Sequence, residues 1–119
     1  MLGTRIGIVG NCAAGKSTLV TALQNKGYNA VNIQQEHSVS KRFWRRLDPD
    51  VIIYLSCTLE TARQRRNIPW GQERLDEQWE VLSEVREQAH TIIPTDALTK
   101  EQVLAVAEQA LAQYTQKEI

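Results

Sequence analysis

In the stretch GNCAAGKST, residues Gly10, Gly15, Lys16 and Ser17 stand at the spacing G-x-x-x-x-G-K-S. Each residue type answers a need of phosphate chemistry. Gly10 and Gly15 permit backbone conformations that a side chain obstructs. The N–H groups of Asn11, Cys12, Ala13, Ala14 and onward can then converge on phosphate oxygens. A helix opening at Gly15 adds the positive end of its dipole. Lys16 brings charge to the outer phosphates, and the Ser17 hydroxyl is a ligand for Mg²⁺. Thr18 offers a further hydroxyl to the inner phosphate. An accidental glycine turn with a lysine also fits the pattern. A strand before the loop and a helix after it distinguish the two.

Both flanks carry that pattern. RIGIVG, Arg5 to Gly10, is a short β-branched run ending in glycine, the signature of a buried parallel strand. The helix from about Gly15 turns Leu19, Val20 and Leu23 to the core, and Gly27 ends it as a left-handed residue. YNAVNI, Tyr28 to Ile33, is a second, weaker strand that closes a βαβ unit. The polar stretch from Gln34 to Asp50 predicts a loop and a short helix that stops before Pro49. DVIIYLSC, Asp50 to Cys57, is an unbroken apolar strand, and Thr58 caps the helix after it. Leu75, Trp79, Leu82, Val85 and Ala89 recur at helical spacing, which predicts one long amphipathic helix over 72–90. TIIPTD is a final strand. Thr99 and Gln102 have capping-box spacing ahead of a C-terminal helix. This alternation predicts an α/β fold in three layers, with a small, mostly parallel sheet of four strands.

Composition narrows the partners. At 119 residues, one domain over 1–119 is expected. Fourteen basic and fourteen acidic residues cancel, so the overall field does not argue for nucleic acid or an anionic membrane. Anion affinity must be local. No apolar run reaches the length of a signal peptide or a bilayer span, so a cytoplasmic protein is expected. Cys12 and Cys57 lack metal-ligand spacing and read as two ordinary thiols. Should the two approach each other, oxidation would block the loop.

With these residues in place, the sequence resembles the P-loop kinases of small molecules: nucleoside, nucleoside monophosphate and shikimate-type kinases. The loop carries most of the likeness. DPDVIIYLSCTLETARQRR looks like the strand and arginine-rich helix that lead into the lid of such kinases. AHTIIPTDALTKEQVLAVAEQAL is similar to their last strand and helix. The resemblance implies ATP, or another nucleoside triphosphate, with Mg²⁺, and phosphoryl transfer to a small-molecule acceptor the sequence does not name. It also implies that Arg63, Arg65 or Arg66, with Arg74 or Arg86, reaches the transferring group; Arg63 and Arg66 lead that set. Such kinases usually carry a further strand beside the loop strand and a substrate-binding insertion. Here 17 residues separate Ile33 from Val51, so one strand is missing and the acceptor region is short.

QQEH, Gln34 to His37, follows the second strand at the end of the sheet where α/β ligands bind. If that strand pairs directly with the first, Glu36 stands where it can orient the metal or act as general base. His37 is a weaker candidate, and Asp48 and Asp50 belong to the opposite end. KRFWRR is either an anion- or base-binding segment or a small helix with Phe43, Trp44 and Leu47 packed inward. Trp70, between Pro69 and Gly71, belongs to a lid or lies under it. The catalytic set is thus Lys16, Glu36, Arg63 and Arg66, with Ser17 and Glu36 at the metal. The rival reading is a non-catalytic or weakly hydrolytic nucleotide-binding module. It would act through a partner or a homodimer formed along a free sheet edge.

Overall fold

A computed structural model describes residues 4–118, with side chains through 114. Four strands form one all-parallel sheet in the order β2-β1-β3-β4. They are β1 (Arg5–Gly10), β2 (Asn29–Asn32), β3 (Val51–Ser56) and β4 (Thr91–Pro94). The interior strands are the two whose sequences read as unbroken apolar runs. Between them β1 and β3 bury Ile6, Ile8, Val9 and Val51 to Leu55, because each has a neighbour on both sides and helices above and below. The edge strands are shorter and more polar, and Ile92 of β4 is half exposed.

Five helices cover the sheet among the described residues: α1 (Lys16–Asn25), α2 (Leu59–Arg65), α3 (Gln72–Val81), α4 (Ser83–Glu87) and α5 (Lys100–Glu118). Strand alternation divides the apolar residues into two cores. On one face Leu19, Val20 and Leu23 of α1 pack with Val103, Ala107 and Leu111 of α5 over Ile8, Ile53, Leu55 and Ile93. On the other, Leu82 and Val85 pack with Trp44 over Val9, Ile52 and Tyr54. Burying a side chain of this size contributes about 1.5–3 kcal/mol, so the two cores together dominate folding.

Local signals account for the helix ends. Gly27 takes φ 92°, and Tyr28 N–H returns to the Leu23 carbonyl at 3.1 Å, closing α1. The Thr58 hydroxyl accepts from Thr61 N–H at 3.2 Å at the start of α2. Thr99 and Gln102 exchange reciprocal bonds of 2.8 and 3.1 Å ahead of α5. The segment before Pro49 is a 3₁₀ turn, Phe43–Leu47, with Trp44 buried. Arg45 and Arg46 lie over the Trp44 and Phe43 rings, so packing accounts for this basic-aromatic segment.

The expectation of one helix over 72–90 needs correction. It divides at Leu82, where the amide of Gln35 donates to the Val81 carbonyl at 3.3 Å and engages an acceptor that a continuing helix would use. Leu82 and Val85 are buried on the expected face, but the face departs from expectation at Trp79. Trp79 is 51% exposed, while Gln78 is buried. No helix among the described residues is long and apolar enough to cross a membrane.

Candidate functional site

Because all four strands run parallel, the segments that follow them gather at one edge of the sheet. There the loop 10–15 leaves β1 and turns into α1. Gly10 has φ 151° and faces Leu55 across the β1–β3 ladder; a Cβ there would overlap the Leu55 carbonyl oxygen. Gly15 has φ 103° in open space, so only its backbone conformation asks for glycine. Ala13 adopts φ 66°, a left-handed conformation that costs an alanine about 1–2 kcal/mol.

Neighbours hold that strained loop from three sides. Asn11 is buried; its amide donates to Cys57 Sγ at 3.3 Å, and its oxygen accepts from Cys57 N–H at 3.0 Å. Gln78 on α3 accepts the Cys12 N–H at 3.0 Å. Arg65 at the end of α2 donates to the Ala13 carbonyl at 3.0 Å and to the Thr95 carbonyl at 2.7 Å. The Thr95 hydroxyl donates to Ala14 O at 2.9 Å.

At the mouth of the loop, Lys16 Nζ donates to the carbonyls of Gly10 and Asn11 at 3.1 and 3.2 Å. It also forms an ion pair with Glu36 Oε2. The strand order explains that meeting. β2 pairs directly with β1, Arg5 opposite Asn29 through Ile8 opposite Asn32. The turn after β2 therefore arrives beside the loop, and Gln35–His37 forms a 3₁₀ turn that buries Glu36. His37 Nε2 is 3.6 Å from the same carboxylate oxygen. Glu36 Oε1 is buried with no hydrogen-bond partner among the described residues. Asn32, at the end of β2, donates to Ser17 Oγ at 3.1 Å, while its own Oδ1 is buried and unpartnered. An orphaned buried polar atom is costly, and Asn32 Oδ1 and Glu36 Oε1 belong to two residues that line the same cavity as Ser17.

Two adjoining cavities flank the loop. The polar one, about 250 Å³, is lined by Cys12, Lys16, Ser17, Glu36, His37 and Arg66, among others. The larger, about 520 Å³, lies between the loop and the start of α5, against Thr18, Arg66, Thr95, Leu98 and Val103. Ala13, Gly15 and Arg66 belong to both. Ammonium and guanidinium charge at the polar cavity suits an anion. The apolar side chains of the larger one suit an uncharged ring.

The arginines separate. Arg66 reaches the cavities, with Nη1 3.9 Å from Cys12 Sγ. Arg63 lines neither of them and donates to the Trp70 carbonyl at 3.1 Å. Arg65 braces the loop. Arg74 pairs with Glu77, and Arg86 stacks on Trp79 with its guanidinium carbon 3.7 Å from the ring centre. Asp50 caps the opposite end of the sheet, where its carboxylate accepts from Arg5 N–H at 2.8 Å. The thiol of Cys57 lies 3.8 Å from the Cys12 carbonyl, and burial pushes its pKa up, which keeps it protonated.

Asp96, in the segment after β4, ties that segment to the start of α2. It accepts from Thr58 N–H at 2.8 Å and from the Thr58 hydroxyl at 3.0 Å. Partial burial raises its pKa, but the hydrogen bonds outweigh burial and leave the carboxyl below its ordinary value. Asn32, Gln78, Thr95 and Asp96 were not among the residues singled out from sequence. Only Gln78 left a trace there, as a polar residue beside an apolar stripe. No protein-family model and no curated protein matches this chain.

Proposed function

We propose that this chain binds a nucleoside triphosphate, ATP in the first instance, and transfers its γ-phosphoryl group to a small-molecule acceptor. The observation that carries this reading is the meeting of Lys16 and Glu36 at the mouth of a glycine loop. Cation and carboxylate stand side by side in a polar cavity, and Glu36 Oε1 is left without a partner. In this reading the loop belongs to a P-loop domain. The larger cavity takes the base, the N–H groups of the loop take the inner phosphates, and Lys16 and Arg66 stabilise charge on the transferring group.

The acceptor's hydroxyl oxygen bonds to the γ-phosphorus as the bond from that phosphorus to the bridging oxygen breaks. The hydroxyl proton passes to the Glu36 carboxylate, and the nucleoside diphosphate leaves. The residues present fit Mg²⁺: Ser17 Oγ, the orphaned Asn32 Oδ1 and the buried Glu36 carboxylate are all hard oxygen donors. When bound there, the ion would supply positive charge that neutralises the phosphate oxygens.

A specific observation favours the rival reading, a nucleotide-binding module without transfer. Lys16 already places its charge on two loop carbonyls and Glu36, and a phosphate must displace part of that set. ATP labelled at the γ-phosphate, incubated with Mg²⁺ and a pooled panel of metabolites, decides between them. Label on a small molecule, absent with Lys16→Ala, is the expected result. Bound but unconsumed ATP would move the assignment to the module.

A further inference from the structure

Lys16 is already held. Its Nζ donates to the carbonyls of Gly10 and Asn11 and pairs with Glu36, and both side chains of that pair are buried. A phosphate that takes the ammonium therefore takes it from Glu36. The carboxylate is then stranded: Oε1 has no hydrogen-bond partner among the described residues, and Oε2 loses the one it had in Lys16. A buried carboxylate beside an arriving anion is costly, and a cation in the place of Lys16 removes that cost. Building on the nucleotide reading above, we infer that Glu36 makes a divalent cation a condition of binding, not of chemistry alone. The loop admits the metal complex of a polyphosphate and turns away the bare anion.

The charges that line the polar cavity give the first reason. Lys16 and Arg66 are its cations and Glu36 its carboxylate. Glu36 matches Lys16, which leaves Arg66 as the uncompensated charge, and Arg66 is exposed to solvent. A bare triphosphate brings several negative charges to this cavity, and like charges repel strongly where little water separates them. His37 does not relieve the carboxylate. Its Nε2 is half exposed and lies 3.6 Å from Oε2, the oxygen that Lys16 holds, so Oε1 is left as it was.

The oxygen donors give the second reason. Glu36 Oε1 and Asn32 Oδ1 are buried and unpartnered among the described residues, and Ser17 Oγ accepts from the Asn32 amide at 3.1 Å. All three residues line the same cavity. One carboxylate with two neutral oxygens suits Mg²⁺, which keeps part of its shell for water and phosphate. With a cation on those oxygens, Glu36 no longer opposes the phosphates and Lys16 is released to them. The ligand class follows: chelating di- and triphosphates enter, and a lone phosphate, a poor chelator, does not.

Calorimetric titration of the full chain with ATP and with inorganic tripolyphosphate, each in excess Mg²⁺ and in EDTA, tests this whether or not a phosphoryl group moves. Wild type should bind the Mg²⁺ complexes at least about thirtyfold tighter than the bare anions. Glu36→Gln should bind the bare anions at least about tenfold tighter than wild type does, with its preference for the complexes reduced to about threefold or less. Because that variant loses thermal stability, the titrations run in the cold, and Asn32→Leu gives a second test that keeps the Glu36 charge. It should weaken the Mg²⁺ complexes by about fivefold or more and leave the bare anions within about twofold. Wild type that binds bare and complexed anions within about threefold overturns the inference and leaves the nucleotide reading standing. A Mg²⁺ preference undiminished in Glu36→Gln also overturns it, since the metal then only shields the anion; so does an Asn32→Leu loss equal for both forms. Absence of binding by ATP and tripolyphosphate under both conditions overturns the nucleotide reading as well.

Discussion

Replacing Glu36 by glutamine isolates the ion pair at the centre of the site. The side chains of Lys16 and Glu36 are 8% and 2% exposed, so solvent does little to screen them. Glu36→Gln keeps the shape and removes the charge. The Lys16 ammonium is then left with the carbonyls of Gly10 and Asn11, at 3.1 and 3.2 Å, as its remaining protein partners. Stranding one charge of a buried pair costs about 3–5 kcal/mol, whereas replacing both partners by neutral groups is near neutral. For a domain of this length, each kcal/mol moves the melting temperature by about 3–5 °C, so the single variant should melt roughly 10–25 °C lower. Lys16→Met combined with Glu36→Gln should recover at least about 2 kcal/mol of that loss, measured by thermal and urea unfolding in a double-mutant cycle. An added polyphosphate should stabilise Glu36→Gln more than wild type, because it supplies the missing negative charge. A single variant that melts within about 3 °C of wild type, or a double variant no more stable than the single, would refute the burial and pairing on which this argument depends.

Other outcomes follow from neighbouring contacts. Gly10→Ala should destabilise far more than Gly15→Ala in urea unfolding: the first drives a methyl into the Leu55 carbonyl, while the second meets open space and costs only the about 1–2 kcal/mol of a left-handed alanine. Gln78→Leu leaves the Cys12 N–H without its acceptor and should cost about 1–3 kcal/mol, with Gln78→Glu milder; hydrogen exchange at the Cys12 amide reports it directly. The Asp96 carboxyl is held below its ordinary 3.8, so its contribution is present above that pH and fades as the pH falls through its lower, folded value. Asp96→Asn should therefore flatten the acid limb of the stability curve by melting lower than wild type near neutrality and converging with it in acid, as read by melting across pH.

Much of this architecture was legible in the chain itself, because its signals are local. Uninterrupted apolar runs at Arg5–Gly10 and Val51–Ser56 mark interior strands, since only a strand covered on both faces tolerates them. Gly27, Thr58 and the Thr99–Gln102 box end or start helices through bonds that span only a few residues. The positions in the loop that require glycine, Gly10 and Gly15, were equally plain. What tertiary structure decided was which distant groups meet. Glu36 reaches Lys16 only because β2 lies directly on β1, a pairing that sequence could pose as a condition but not choose. The arginines of 63–66 look alike in sequence; helix geometry sends Arg65 to the loop carbonyl, Arg66 to the cavities and Arg63 to Trp70. Periodicity put Trp79 in the core, yet the turn at Leu82 and the bond from Gln78 to Cys12 orient α3 otherwise and leave the indole exposed. Local propensity acts over one or two turns, whereas the contacts of Lys16 with Glu36, Arg65 with Ala13, Arg66 with Cys12 and Gln78 with Cys12 span from 20 to 66 residues of chain, and only packing selects among them.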